Sequence, residues 1–385
     1  MSAATPTPQD SGLPPPPTTA PSTSSPTPNL PTTTAPSKPT ILHLGDDIRW
    51  NHTLYAELQS HFHIERSHSM DREAFKAALR DRRWGDFVGM YRPFWNTGGE
   101  MGNWDRELIE LLPGSCRIYA SAGAGFDWVD TRTMAEFGII YCNSAPACTE
   151  SVADAAILLI ITTFRAIVWS FLGARSCSPS QFHAANQNIA AVTHNPQNHV
   201  LGVVGFGKIG YRIAQKASRA FDMRIWYHDV VRMDREREES VGARFCETLE
   251  ELVGGADCVV LATPFNGEVL LSTEQFGWFK RGSRLVNIAR GKLVDEEALV
   301  RALDEGIVSS AGLDVHANEP YVNEKLAKRD NVMVLSHTAG ASVESHIGFE
   351  RLGIENLLGF LHHGTGAVTP VNLQWLKAKE ESADA

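Results

Sequence analysis

The stretch "HVLGVVGFGKIGYRIAQKASRAF" is compatible with few folds. An unbroken apolar run ends in Gly205, Gly207 and Gly210, spaced G-x-G-x-x-G; a helical pattern begins at once, and Asp229 closes the next β-rich run, "RIWYHD", 19 residues beyond Gly210. Strand, tight glycine turn and helix in that order form a unit whose helix N-terminus faces phosphate with free N–H groups. Gly205 permits the turn, Gly207 lets the backbone approach a pyrophosphate, and Gly210 lets helix and strand pack closely. Phe206, Lys208 and Ile209 complete the same cradle. Asp229 is placed to accept hydrogen bonds from adenosine ribose hydroxyls and to repel a 2′-phosphate, which favours NAD; Arg232, close by, leaves NADP open.

The pattern around this unit is a β/α repeat. "TILHLG" (40–45), "DFVGMY" (86–91) and "CRIYASAG" (116–123) read as strands, separated by helical runs at 72–84 and 103–112. A second series holds six strands, from "HVLGVVGFG" through 224–229, 258–264, 284–289 and 310–315 to "VMVLSH" (332–337), with helices after Gly210, at 248–254 and at 295–306. Asp295 is the expected N-cap of the last of these, with Glu296 and Glu297 in its first turn. Such alternation predicts an α/β protein with doubly wound parallel sheets, because right-handed crossovers lay helices on both faces.

Composition separates residues 1–40 from the rest. They hold 12 of the 20 prolines and 28 Pro, Ser or Thr, with Leu13 and Leu30 as the only large aliphatic side chains, and so are expected to be a disordered tail. The other 345 residues carry the whole net charge of -10 and have the length of about two domains. The longest apolar stretch, Val152 to Ala174, contains Asp154 and Arg165 and is expected to be a buried helix rather than a membrane span. The polar segment 175–198 is expected to be an irregular connection. The acidic balance, without a Lys/Arg run, argues against nucleic acid. The six cysteines form no Cys-x-x-Cys pair, and the histidines at 61, 63, 68, 362 and 363 lack partners at ligand spacing, so no metal site is expected. The absence of a basic-apolar leader leaves the cytoplasm as the expected location.

Three polar residues fall at or just beyond predicted strand ends: Arg290 after "VNIA", Glu319 after "GLDVHAN" and His337 closing "VMVLS". A guanidinium can hold a carboxylate with two hydrogen bonds and polarise the neighbouring carbonyl. An imidazolium can protonate a developing alkoxide, and a carboxylate on its other nitrogen orients it and raises its pKa. Together they suit reduction of a 2-keto acid by a nicotinamide.

At this point the sequence resembles the D-isomer-specific 2-hydroxyacid dehydrogenase family, through "GAGFDWVD" (123–130), "ESVADAAILLI" (150–160), "LGVVGFGKIG" (201–210), "NIARGKLVDEEALVRAL" (287–303), "AGLDVHANEP" (311–320) and "SHTAGAS" (336–342). The resemblance implies that Arg290 binds the substrate carboxylate, that Glu319 orients His337, and that His337 exchanges the proton. It implies that Asp314 contacts the nicotinamide carboxamide, that Thr263 and Pro264 flank the adenosine, that Ala289 lines the cofactor cleft, and that the backbone at Ala124 and Gly125 meets the substrate carboxylate. It also implies two Rossmann-like domains, the cofactor domain (146–340) being inserted into a discontinuous substrate domain (41–145 plus 341–375) with 376–385 as a C-terminal tail, and a homodimer. Two departures stand out: Asp154 replaces the family's usual glutamate, and the polar segment 175–198 replaces the family's short connection; together with "GAGFDW" and "HNPQNHVLG" it resembles the fungal and yeast D-mandelate dehydrogenase subgroup, which implies a bulky or aromatic keto acid. Tyr91, Phe94 and Trp95 are candidates for an apolar side-chain pocket or for packing. Glyoxylate or hydroxypyruvate reduction is an alternative, and so is an NADH-sensing scaffold like the corepressors related to this family. Formate oxidation is disfavoured by an acid, rather than an amide, at Glu319.

Overall fold

A computed structural model describes residues 38–68, 70–94 and 101–376. Nearly all of the Pro/Ser/Thr-rich tail, the C-terminal tail and Trp95 lie outside the described residues. The first half of the chain forms β1 (Thr40–Leu44), α1 (His52–His61), β2 (His63–Ser67), α2 (Arg72–Arg80), β3 (Gly89–Arg92), α3 (Arg106–Ile109), β4 (Ile118–Ser121), α4 (Thr131–Glu136) and β5 (Ile140–Cys142). Its five strands are all parallel, in the order β2-β1-β3-β4-β5. Apolar runs such as "IYAS" in β4 are buried throughout, as a sheet covered on both faces requires.

Three helices lead out of this sheet: α5 (Ala145–Arg165), α6 (Ile167–Arg175) and α7 (Pro179–Asn188). The single apolar helix expected over 152–174 is therefore two, divided at Ala166, whose φ of 46° is left-handed and ends the hydrogen-bond ladder. The segment expected to be irregular also starts as a helix: Pro179 occupies its first turn, where a missing N–H costs nothing, and Ala185 packs against Gly173 of α6.

A second parallel sheet follows, built from β6 (Val200–Val204), α8 (Lys208–Phe221), β7 (Arg224–His228), α9 (Arg235–Val241), β8 (Arg244–Phe245), α10 (Leu249–Gly255), β9 (Cys258–Leu261), α11 (Thr273–Phe276), β10 (Ser283–Asn287), α12 (Glu296–Asp304), β11 (Val308–Leu313), α13 (Glu324–Ala327) and β12 (Val332–Val334). Its order is β12-β11-β10-β9-β6-β7-β8, with the two-residue β8 added to the six strands expected. Asp295 caps α12 as anticipated, accepting from the N–H groups of Glu297 and Ala298. The chain runs outward from β6 through β7 and β8, then returns to β9, so a crevice opens between β6 and β9 at their C-terminal ends, where ligands of such sheets bind.

α5 has the length and composition of a membrane span, yet one face of it is core. Val152, Ala153, Ala156, Leu159, Ile160 and Phe164 are buried together with Val203 and Val286 of the second sheet and Ile213 of α8. Cutting Leu159 back to alanine would cost about 2 to 5 kcal/mol. Glu150 and Asp154 of α5 pair with Arg212 and Lys216 of α8. The shorter acid at position 154 thus ties two helices together.

The last helix, α14 (Val343–Leu358), packs against α5 and also against β3, β4 and α1 of the first sheet. Glu350, nearly fully buried on it, accepts hydrogen bonds from the consecutive backbone N–H groups of Arg49, Trp50 and Asn51 at 2.5, 3.0 and 3.0 Å. Farther on, Asn372 accepts from the Tyr141 N–H and donates to the carbonyls of Thr131 and Ile139. Chain segments some 230 to 300 residues apart thus complete one layer.

Candidate active site

The glycine loop has the geometry its spacing predicts. Gly205 has φ 88°, and a Cβ there would lie 2.7 Å from the Ala262 carbonyl oxygen; one at Gly210 would lie 2.0 Å from the Gly205 oxygen. At Gly207 a Cβ would meet nothing, and α8 starts there without a side-chain cap, so its first N–H groups face open space. This cradle fits a pyrophosphate. Lys208 is exposed and Ile209 half-buried, while the Phe206 ring is buried and stacks on Tyr227 at 4.1 Å, leaving Phe206 only its backbone at the loop surface. That N–H donates to Asp229 Oδ2 at 2.6 Å, so Asp229 reaches the loop from the end of β7. Thr263 abuts Gly205 just beyond β9, with Pro264 exposed next to it.

Arg290 follows β10 on a turn that Asn287 straps: the Asn287 side chain accepts from the Ala289 N–H and donates to the Arg290 carbonyl. The guanidinium is held on three sides. Nε donates to Asp127 at 2.7 Å, Nη1 donates to the Ala289 carbonyl at 2.8 Å, and Nη2 lies where a Cβ on Gly125 would be, 1.3 Å from that ideal position. Ala124 is anchored beside it, its carbonyl accepting from Asn143 Nδ2 at 2.8 Å. The structure therefore brings Ala124 and Gly125, from beyond β4, together with Arg290, from beyond β10. Asp127 and Asn287 went unrecognised in the sequence; Asp127 lies inside the quoted "GAGFDWVD", and an asparagine closing the apolar run "RLVN" was the available signal for Asn287.

His337 and Glu319 are joined as the spacing suggests, with Nδ1 and Oε2 2.8 Å apart. Glu319 is oriented by the His316 N–H, which donates to Oε1 at 2.9 Å. Burial raises the Glu319 carboxyl, but the hydrogen bonds from His337 and His316 outweigh it and hold the group below its ordinary value. A carboxylate acceptor requires a proton on Nδ1, so Nε2 is the nitrogen that gains or loses one. His337 has φ 57°, a left-handed conformation costing about 1 to 2 kcal/mol outside glycine. Asp314 offsets this: its carbonyl accepts from the His337 N–H, and its buried carboxylate accepts from the N–H groups of Thr338 and Ala339. The carboxylate implied for a carboxamide contact thus also holds the segment that carries His337.

Of the candidate pocket residues, Tyr91 is fully buried and donates to the Glu350 carbonyl, so it is a packing residue. Phe94 is exposed, its ring against His346 (4.5 Å) and Phe349 (5.6 Å), and Trp50 stacks on His346 at 6.1 Å. Trp50 and Phe94 lie in the loops after the adjacent strands β1 and β3, and β3 in turn pairs with β4, which leads to the Ala124–Gly125 turn. Among the described residues no cluster of three metal-ligating side chains forms, and the six cysteines are free thiols, five of them buried.

Comparison with known proteins places the chain in a family. Residues 171–339 match the family model "D-isomer specific 2-hydroxyacid dehydrogenase, NAD binding domain". A glyoxylate reductase of Pyrococcus horikoshii is 36% identical over 278 residues, 72% of this chain and 82% of that protein. A 4-methyl-2-oxopentanoate reductase of Aspergillus oryzae is 32% identical over 313 residues, 80% and 91% of the two chains. The holo structure of Rhodotorula graminis D-mandelate dehydrogenase superposes with a TM-score of 0.85 at 37% identity, covering 87% of this chain and 98% of that one. The chain belongs to the D-isomer specific 2-hydroxyacid dehydrogenase family. It is an oxidoreductase with an NAD-binding domain.

Proposed function

We propose that this enzyme interconverts a 2-keto acid and a D-2-hydroxy acid with NAD(H), and that its preferred substrate carries a bulky or aromatic side chain. The observations that support the reaction are two local arrangements: Arg290 held by Asp127 over Gly125, and His337 hydrogen-bonded to Glu319. Arg290 binds the substrate carboxylate and polarises the adjacent ketone. His337, protonated on Nε2, delivers that proton to the ketone oxygen, and Glu319 stabilises the imidazolium before transfer. NADH, when bound, supplies the hydride to the 2-carbon. The reverse reaction uses neutral His337 as base. Gly205 to Gly210 hold the pyrophosphate, Asp229 the adenosine ribose, and Thr263, Pro264, Ala289 and Asp314 the remaining walls.

The bulky-substrate reading is supported by the aromatic group that Trp50 and Phe94, beyond β1 and β3, form with His346 and Phe349 of α14, and by the likeness to the Rhodotorula enzyme. The likeness to the Pyrococcus enzyme favours glyoxylate as the second reading. Turnover of benzoylformate and phenylpyruvate, compared with glyoxylate and hydroxypyruvate, separates them: faster reduction of the two small acids would overturn the first.

We also propose a cytosolic homodimer, with 41–145 plus 341–375 and 146–340 as its two domains. Leu158, Ile167, Phe171, Leu172 and Phe182, exposed on α5 to α7, provide an apolar face for a second copy. A monomeric mass by light scattering would count against this.

A further inference from the structure

Arg232 stands three residues beyond Asp229, where a guanidinium would meet a phosphate on the ribose 2′-oxygen. Its position alone would suit NADP, but its partners do not. Nε and Nη2 donate to both carboxylate oxygens of Glu238, at 2.9 and 3.0 Å, and the guanidinium lies 5.4 Å from the centre of the Phe245 ring. Glu238 projects from α9 and is itself buried; it accepts the Tyr227 hydroxyl at 2.6 Å. The Tyr227 oxygen accepts in turn from the Met233 N–H at 2.9 Å, and its ring stacks on Phe206 of the glycine loop. The Arg232 and Tyr227 hydrogen bonds hold the Glu238 carboxyl below its ordinary range, so the clamp is charged at neutral pH.

Asp229 and Glu238 contribute two negative charges and Arg232 one positive charge, while Arg235 is paired with Glu239 and Arg237 with Asp234. A 2′-phosphate would therefore meet the Asp229 carboxylate and an arginine already committed to a two-point carboxylate partner. A ribose with free hydroxyls meets no such penalty.

We propose that Glu238, supported by Tyr227, is a specificity-determining residue for the cofactor: it closes Arg232 into an ion pair and so excludes the 2′-phosphate of NADP. The inference rests on the NAD-binding domain and needs no assumption about the keto acid. Its test is equilibrium binding, with adenosine 2′,5′-bisphosphate and ADP as probes and no substrate present, so failure of the substrate reading leaves it untouched. Charge-assisted hydrogen bonds of this kind change binding by about tenfold or more. Glu238→Gln should raise the affinity ratio of adenosine 2′,5′-bisphosphate to ADP about tenfold, and adding Arg232→Ala should abolish that gain. Arg232→Ala in the otherwise unaltered protein should leave the ratio unchanged. Tyr227→Phe, which loosens the clamp without touching the ion pair, should give a smaller gain in the same direction. The proposal is overturned if Arg232→Ala alone lowers the ratio, if Glu238→Gln folds and gives no gain, or if the gain survives loss of Arg232. Should Glu238→Gln not fold, an unchanged ratio in Tyr227→Phe also overturns it.

Discussion

The Arg290 guanidinium occupies the space that a side chain at position 125 would need: an ideal Cβ on Gly125 falls 1.3 Å from Nη2. A glycine from one sheet thus makes room for an arginine from the other, and the contact sets how far Arg290 can extend towards a substrate.

Gly125→Ala should therefore displace Arg290. KM for the keto acid is expected to rise at least about tenfold, the scale of one charge-assisted hydrogen bond, while the affinity for NADH is retained. Steady-state kinetics and a separate NADH titration read the two effects, and an unchanged KM would mean that Arg290 does not hold the carboxylate.

His337→Ala should lower turnover by about 10² to 10⁴-fold, the usual worth of a general acid. Glu319→Gln should cost less and change the pH profile. Because the folded Glu319 carboxyl titrates below its ordinary value, the pair's contribution to stability is present above the ordinary glutamate range and fades as pH falls through the lowered folded value. Wild-type activity should accordingly persist further into acid than an unperturbed carboxylate would allow, and the acidic limb should move in Glu319→Gln. A coincident acidic limb in both proteins would remove Glu319 from this role.

The charged cluster between α5 and α8 makes a separate prediction about stability. Hydrogen bonds from Arg212 and Lys216 pull the Glu150 carboxyl down to about 2. Its contribution should be complete above the ordinary glutamate range and decline as pH falls towards that value. Glu150 is largely exposed, so solvent screening limits the effect to below about 1 kcal/mol. Urea denaturation of Glu150→Gln at neutral pH in low and high salt checks this; a loss that does not shrink with salt would contradict it.

Glu350→Ala should be much more costly. It strands the N–H groups of Arg49, Trp50 and Asn51, and leaving a buried donor unsatisfied costs about 1 to 3 kcal/mol. Glu350→Gln keeps an acceptor and should lose less. Equal losses in the two variants, read from chemical denaturation, would show that packing rather than hydrogen bonding anchors this loop.

What could be read from the sequence follows the range of the interactions. The glycine loop was legible because Gly205, Gly210 and Asp229 serve one strand-turn-helix unit and its neighbour. Arg290, Glu319 and His337 were legible because strand ends in a doubly wound sheet share one edge. Asp127 was not, since its partner is 163 residues away and only the meeting of the two sheets joins them. The break at Ala166 carries no glycine or proline to announce it. Arg232 was legible as a nearby charge, but its pairing depends on how α9 folds back over β7.

The hold of Glu350 on Arg49, Trp50 and Asn51 also orders events in time. A ribosome makes the loop some 300 residues before its anchor, so the loop's backbone must wait, solvated and unlatched, while those residues are added. The second sheet is complete before α14 exists and can fold during that interval. Synthesis of α14, rather than completion of the second sheet, is then the moment at which the loop after β1 can be latched into its layer.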